Sequence, residues 1–111
     1  MSAAPDQPIA VFITTPNKEE AARLADMLVE RRLAACVQIL PAMESVYRWQ
    51  GKIERQDEIL LIAKTVNSKF AELEREVRAL HSYETPEIVA FPLTRLSEVY
   101  LRWLNASVTT E

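Results

Sequence analysis

A chain of 111 residues, 49% hydrophobic and 26% charged, with one glycine and six prolines, has the length and composition of one globular domain with its own core. Its formal charge of −3, from 13 basic and 16 acidic side chains, opposes a nucleic-acid role, which draws on surplus Lys and Arg to displace counterions from phosphates. The lone cysteine, Cys36, excludes an intrachain disulfide scaffold, and no apolar stretch nears the ~20 residues of a membrane-spanning helix.

Residues 1–8 are polar and proline-bearing, without the cationic start and apolar stretch of a signal peptide. They are expected to form a flexible leader on a cytoplasmic protein, ahead of a single domain over residues 9–108. The run Ile9-Ala10-Val11-Phe12-Ile13-Thr14 has the content of a buried strand, ended by Thr15-Pro16. Asn17 stands three residues before Glu20, which predicts a capping box with Asn in place of Ser or Thr. The helix that follows carries Ala21, Leu24, Ala25, Leu28 and Val29 on one face and is expected to end near Arg31-Arg32.

A second strand is expected from Ala34 through Cys36, Val37 and Ile39 to Pro41. Beyond it the chain alternates, with Val46, Arg48 and Gln50 on one side and Tyr47 and Trp49 on the other. Gln50-Gly51 supplies the positive φ of a hairpin turn, and the return strand runs from Lys52 to Val66. Fully extended, residues 52–66 reach roughly 50 Å. A domain this small cannot cover such an arm, so the hairpin is expected to pack on a neighbouring copy unless a break near Arg55-Gln56-Asp57 shortens it.

Ser68 is placed to cap a second helix, in which Phe70, Leu73, Val77 and Leu80 recur at helical spacing. After the turn His81-Ser82-Tyr83-Glu84-Thr85-Pro86 comes a strand, Glu87 to Pro92. A short helix from Ser97 to Asn105 follows, aligning Leu96, Tyr100, Trp103 and Leu104. The order β-α-β-β-α-β plus a terminal helix predicts an α+β, ferredoxin-like sandwich, one antiparallel sheet covered on one face by two helices. That architecture hosts many functions and specifies none.

The turn holds the best candidates for chemistry. His81, the only histidine, either caps helix carbonyls or serves as a functional imidazole. Tyr83 and Glu84 bring a phenol and a carboxylate beside it, and Pro86 stiffens Thr85. One Cys and one His per chain cannot close a structural zinc site, but a surface copper site on His81 with Glu84 stays open. Cys36 reads either as a small buried hydrophobe or as a weak ligand, and Lys64 as a strand-end lysine or an anion contact. Tyr47, Trp49, Tyr100 and Trp103 serve either core and interface packing or the lining of a cleft. Phosphate-cradling glycine loops, nucleophile elbows and H-E-x-x-H are absent from the sequence.

Five motifs in order resemble the CutA family of divalent-cation tolerance proteins. They are Leu33-Ala34-Ala35-Cys36-Val37-Gln38-Ile39; Ser45-Val46-Tyr47-Arg48-Trp49-Gln50-Gly51-Lys52-Ile53; Glu58-Ile59-Leu60-Leu61-Ile62-Ala63-Lys64-Thr65; His81-Ser82-Tyr83-Glu84-Thr85-Pro86-Glu87-Ile88; and Tyr100-Leu101-Arg102-Trp103-Leu104. The resemblance covers the chain from about Ile9 to Val108. It implies a homotrimer like the PII signalling proteins, clamped by long hairpins, with three copies of one intersubunit cleft. It further implies a tolerance-linked protein, not an enzyme, that binds a small ligand or a divalent ion, copper(II) first, weakly in that cleft. Tyr47, Trp49, Lys64, Tyr83, Glu84 and Trp103 would line the cleft, and His81, with Glu84 and Cys36, would meet the metal. The alternatives are an enzyme using His81 and Glu84 as acid–base groups with Lys64 or Tyr83 as electrophile, and a structural or signalling trimer that binds a protein. The chain also departs from the family pattern. Ser82 replaces the usual proline, which is expected to loosen the turn; Ile13 and Leu80 stand where some members carry Cys and His; and the glycines before the last helix are missing around Thr94-Arg95-Leu96.

Overall fold

A computed structural model describes residues 5–109. The elements are β1 (Pro8–Thr15), α1 (Lys18–Glu30), β2 (Cys36–Trp49), β3 (Lys52–Val66), a 3-10 turn (Asn67–Lys69), α2 (Phe70–Leu80), β4 (Ile88–Pro92) and α3 (Glu98–Val108). Four antiparallel strands lie in the order β2-β3-β1-β4, which puts β1 in the middle and is the split βαβ arrangement expected from the chain order. Among the described residues no helix is long and apolar enough to cross a membrane.

The first four residues of the expected leader lie outside the described residues. Asp6 and Gln7 are tied down: the Asp6 carboxylate accepts the Ser68 N–H (3.1 Å) and Oγ–H, and Gln7 Nε2 donates to the Leu93 carbonyl at 3.0 Å. Ser68 is therefore not the cap of α2. It sits inside the 3-10 turn, whose open amide is satisfied by Asp6 from outside the element. Asn17 caps α1 as expected, its Oδ1 accepting the Glu20 N–H at 2.8 Å. The reciprocal half of the capping box is missing, because the Glu20 side chain points into the protein toward the turn after α2.

Alternation along β1 and β3 sorts the sheet into two faces. Ile9, Val11 and Ile13 with Ile59, Leu61 and Ala63 face the helices, where Leu24, Leu28, Leu73 and Val77 complete a closed core. Each of these large side chains gains roughly 1.5–3 kcal/mol from leaving water. On the opposite face, register groups Leu40 with Leu60, Ile62 with Phe12, and Phe12 with Val89. Among the described residues no helix covers this middle stretch; Leu40, Val89 and Phe91 stay exposed, and Phe91 meets Phe12 edge-on at 5.0 Å. α3 covers only one end, packing Leu104 and Val108 on Ala35 and Val66.

The hairpin is one uninterrupted arm. β3 pairs through Arg55-Gln56-Asp57 without a break, and the molecule measures 52 Å along its longest axis. The irregularity falls on the other strand. Between the pairs Leu40↔Leu60 and Met43↔Glu58, Pro41 and Ala42 together face Ile59, and Ala42 takes φ 63°. Pro41 thus does not end the second strand; the bulge absorbs its missing donor, and pairing resumes to Trp49. At the tip, Gln50 (φ 50°) and Gly51 (φ 81°) are both left-handed, as in a type I′ turn.

Candidate functional site

α2 ends at His81, whose backbone turns extended after its N–H bonds to the Val77 carbonyl at 2.9 Å. The imidazole then enters the protein, and its side chain is 0% exposed. Nε2 lies 2.7 Å from the Thr14 carbonyl, and Nδ1 lies 3.0 Å from the Tyr83 N–H. A carbonyl can only accept and an amide can only donate, so the ring carries hydrogen on Nε2 and accepts at Nδ1. Glu20, 3% exposed, approaches Nδ1 to 3.2 Å and takes the Ser82 N–H on the same oxygen at 3.0 Å. With Nδ1 already accepting, that approach is not itself a hydrogen bond. Ser82, expected to loosen the turn, instead anchors it, since a proline there has no N–H to give.

These bonds deliver Tyr83 to a groove. Its hydroxyl donates to Glu58 Oε2 at 2.8 Å and lies 3.4 Å from Gln56 Oε1, while Tyr47 donates to the same Gln56 oxygen at 2.9 Å. Burial first, then the bond and charge of Glu58, push the Tyr83 phenol far above its ordinary pKa. The groove, about 810 Å³, runs between the turn and the hairpin arm; Tyr47, Trp49, Glu54, Glu58, Tyr83 and Glu84 carry its character. Glu87 adds a fourth carboxylate, and among the described residues no Lys or Arg lines it. Trp49 is 47% exposed at its rim.

Other expected site residues lie elsewhere. Lys64 sits eight residues along β3 from Gln56, roughly 26 Å away in an extended strand. There its Nζ donates to Gln38 Oε1 at 2.7 Å and stands 5.9 Å from the centre of the Tyr100 ring. Cys36 Sγ is 3.5 Å from the Tyr100 hydroxyl, and Trp103, 46% exposed, packs at 5.4 Å on the same ring. Burial, then the bond to Cys36, pushes the Tyr100 phenol up to about 12. One protomer therefore brings Tyr47, Trp49, Tyr83 and Glu84 together and holds Lys64, Cys36 and Trp103 apart from them.

The expected metal ligands do not converge. Both His81 nitrogens are taken by backbone groups, Glu84 stands exposed in the groove, and Cys36 belongs to the Tyr100 cluster. Among the described residues, no three or more His, Cys, Asp or Glu side chains assemble into a metal site. The acid–base alternative meets the same geometry, since His81 is sealed and Lys64 lies far along the sheet. Sequence reasoning missed Glu20, Gln56, Glu58 and Thr14. Glu20 was detectable: it falls on the stripe of Leu24, Met27 and Leu28, where an ionisable group needs a buried partner.

The pattern of the CutA1 divalent ion tolerance protein family matches residues 9–107. The chain belongs to this family. The divalent-cation tolerance protein CutA of Thermus thermophilus is 49% identical over 95 residues, which make up 86% of this chain and 92% of that protein. The chloroplastic protein CutA of Arabidopsis thaliana is 46% identical over 99 residues, 89% of this chain; the chain spans 54% of that longer relative. The solved structure of the periplasmic divalent cation tolerance protein CutA from Archaeoglobus fulgidus matches with a TM-score of 0.89 at 45% identity, covering 92% of this chain and 99% of that one. The family is named for a tolerance, not for a reaction.

Proposed function

We propose that this chain works as a homotrimeric divalent-cation tolerance protein, whose groove between turn and hairpin binds a divalent ion weakly and is completed by a neighbouring subunit. The observation that carries the reading is the lining: Glu54, Glu58, Glu84 and Glu87 share one groove with no cationic side chain among them. Carboxylates at that density attract a divalent ion, while the lack of a converging ligand set keeps binding loose and exchangeable. Copper(II) is the ion proposed, because a given set of nitrogen and oxygen donors holds it most tightly among the divalent first-row metals. His81 and Cys36 are not proposed as ligands of this site; Glu84 is.

The uncovered sheet face and the arm supply the reason for assembly. Leu40, Val89 and Phe91 need cover, and Lys64 and Trp103 reach a groove only if it belongs to another copy. Tyr47 and Trp49, exposed on the rim, favour a small organic cation as a second ligand class. The proposed compartment is the cytoplasm, where the free thiol of Cys36 stays reduced.

Calorimetric titration of copper(II) into the wild type, Glu84→Gln and His81→Asn tests the site. Loss of affinity in Glu84→Gln, with affinity near wild type kept in a folded His81→Asn, which lacks the imidazole but can still accept the Tyr83 N–H, supports the groove. The reverse pattern returns the metal to the imidazole.

A further inference from the structure

We infer that Glu20 and His81 are positioning residues: by accepting the Ser82 and Tyr83 amides, they fix the groove wall so that the Tyr83 hydroxyl meets Glu58. The inference rests on the proposed groove only in taking that wall as functional. Between the end of α2 and the start of β4, the chain has no strand partner for these two amides. Two side chains replace the missing ladder, Glu20 Oε2 for Ser82 and His81 Nδ1 for Tyr83, each at 3.0 Å.

The cost of the arrangement argues that it has a purpose. A carboxylate and an imidazole are both taken out of water, which a fold tolerates only where hydrogen bonds compensate. Helix capping does not explain the Glu20 side chain, because it bonds the Ser82 amide and not the first turn of α1, where Asn17 accepts the Glu20 N–H. Nor does the His81 ring cap the carbonyls of α2, since it bonds to β1 through Thr14 and to the turn through Tyr83. The ring also packs on the Tyr83 ring at 4.8 Å, so the amide and the phenyl group of one residue are held by one imidazole. The outcome is a tyrosine fixed at both ends, with its hydroxyl 2.8 Å from Glu58. α1, β1, β3 and the turn are thereby joined at one point.

The imidazole can be replaced one nitrogen at a time. The oxygen of an asparagine at position 81 stands where Nδ1 stands and can take the Tyr83 N–H. The amide nitrogen of a glutamine reaches the Nε2 position and can only restore the bond to Thr14. Residue-resolved amide exchange on full-length His81→Asn and His81→Gln, with thermal unfolding as the control for global stability, therefore separates positioning from bulk packing. The expected result is Tyr83 amide protection near wild type in His81→Asn and a loss of about tenfold in His81→Gln. Equal protection in the two variants, whether kept or lost, overturns the inference for His81.

Glu20→Gln and Glu20→Met make the matching pair should either His81 variant fail to fold. Ser82 protection retained in the first and lost in the second supports the inference, and no difference between them overturns it. Copper(II) titration of the same variants keeps the two readings distinguishable. A wild type that binds no copper removes the proposed function, while the exchange pattern still decides the positioning role. With copper bound, weaker affinity in His81→Gln than in His81→Asn is the expected split, and identical affinities detach positioning from binding.

Discussion

Tyr83 and Tyr100 show how one residue type takes different work from its surroundings. Tyr83 spans from a buried imidazole to a buried carboxylate, and Tyr100 joins Cys36, Lys64 and Trp103 at the other end of the sheet. The raised phenol of Tyr100 has a consequence for stability. Its folded pKa of about 12 exceeds the ordinary value of 10.0, so the fold favours the neutral form. Its contribution is whole below about pH 10 and is lost as pH rises through about 12. Tyr100→Phe is expected to flatten the fall in unfolding free energy over that alkaline window, measured by urea denaturation at stepped pH; an unchanged slope assigns the loss to other groups. At this scale the sequence was only half legible. The trio His81, Tyr83 and Glu84 stands out in a linear reading, and three of the family motif positions fall in it. What the imidazole bonds to and lies against depends on Thr14, 67 positions away, and on Glu20, at a distance of 61, which no local pattern encodes. A substitution such as Ser82 for proline reads as a loosening until the amide it restores is seen bonded to Glu20.

The hairpin is the element on which the site depends, since it carries Tyr47, Trp49, Gln56 and Glu58 past the edge of the helical layer. Its tip was readable because only glycine adopts φ 81° without strain, and the chain contains one glycine. The bulge was not readable, because proline in a strand-like run is ordinarily a stop signal and its accommodation depends on register with Ile59. The two positions predict opposite responses to a methyl group. A Cβ at position 51 meets nothing within 4 Å, so Gly51→Ala is expected to cost about 1 kcal/mol of purely conformational origin. Ala42 already holds φ 63°, so Ala42→Gly releases similar strain and is expected to raise the thermal midpoint, offset partly by the freer unfolded chain. Thermal unfolding of both variants checks the signs. A fall for Ala42→Gly would mean that Ala42 packing outweighs its backbone strain.

At the scale of the whole molecule, the protomer is well closed on one side and unfinished on the other. The helix-facing core is sealed, while Leu40, Val89, Phe91, Val46, Ile53, Trp49 and Trp103 leave apolar surface in water. The ferredoxin-like order and the length of the arm were both legible, since strand order follows from connection rules and reach follows from residue count. Which copy would complete which groove in the proposed trimer depends on surfaces that a linear reading cannot orient. In the proposed trimer each arm would cross to the next subunit, cover the open sheet face and bring a second copy's Lys64 and Trp103 within reach of the groove. The direct measurement is the solution mass by multi-angle light scattering at micromolar concentration. Three times the 12.7 kDa chain mass is the expected result, and a monodisperse species at 12.7 kDa would contradict a groove built between copies.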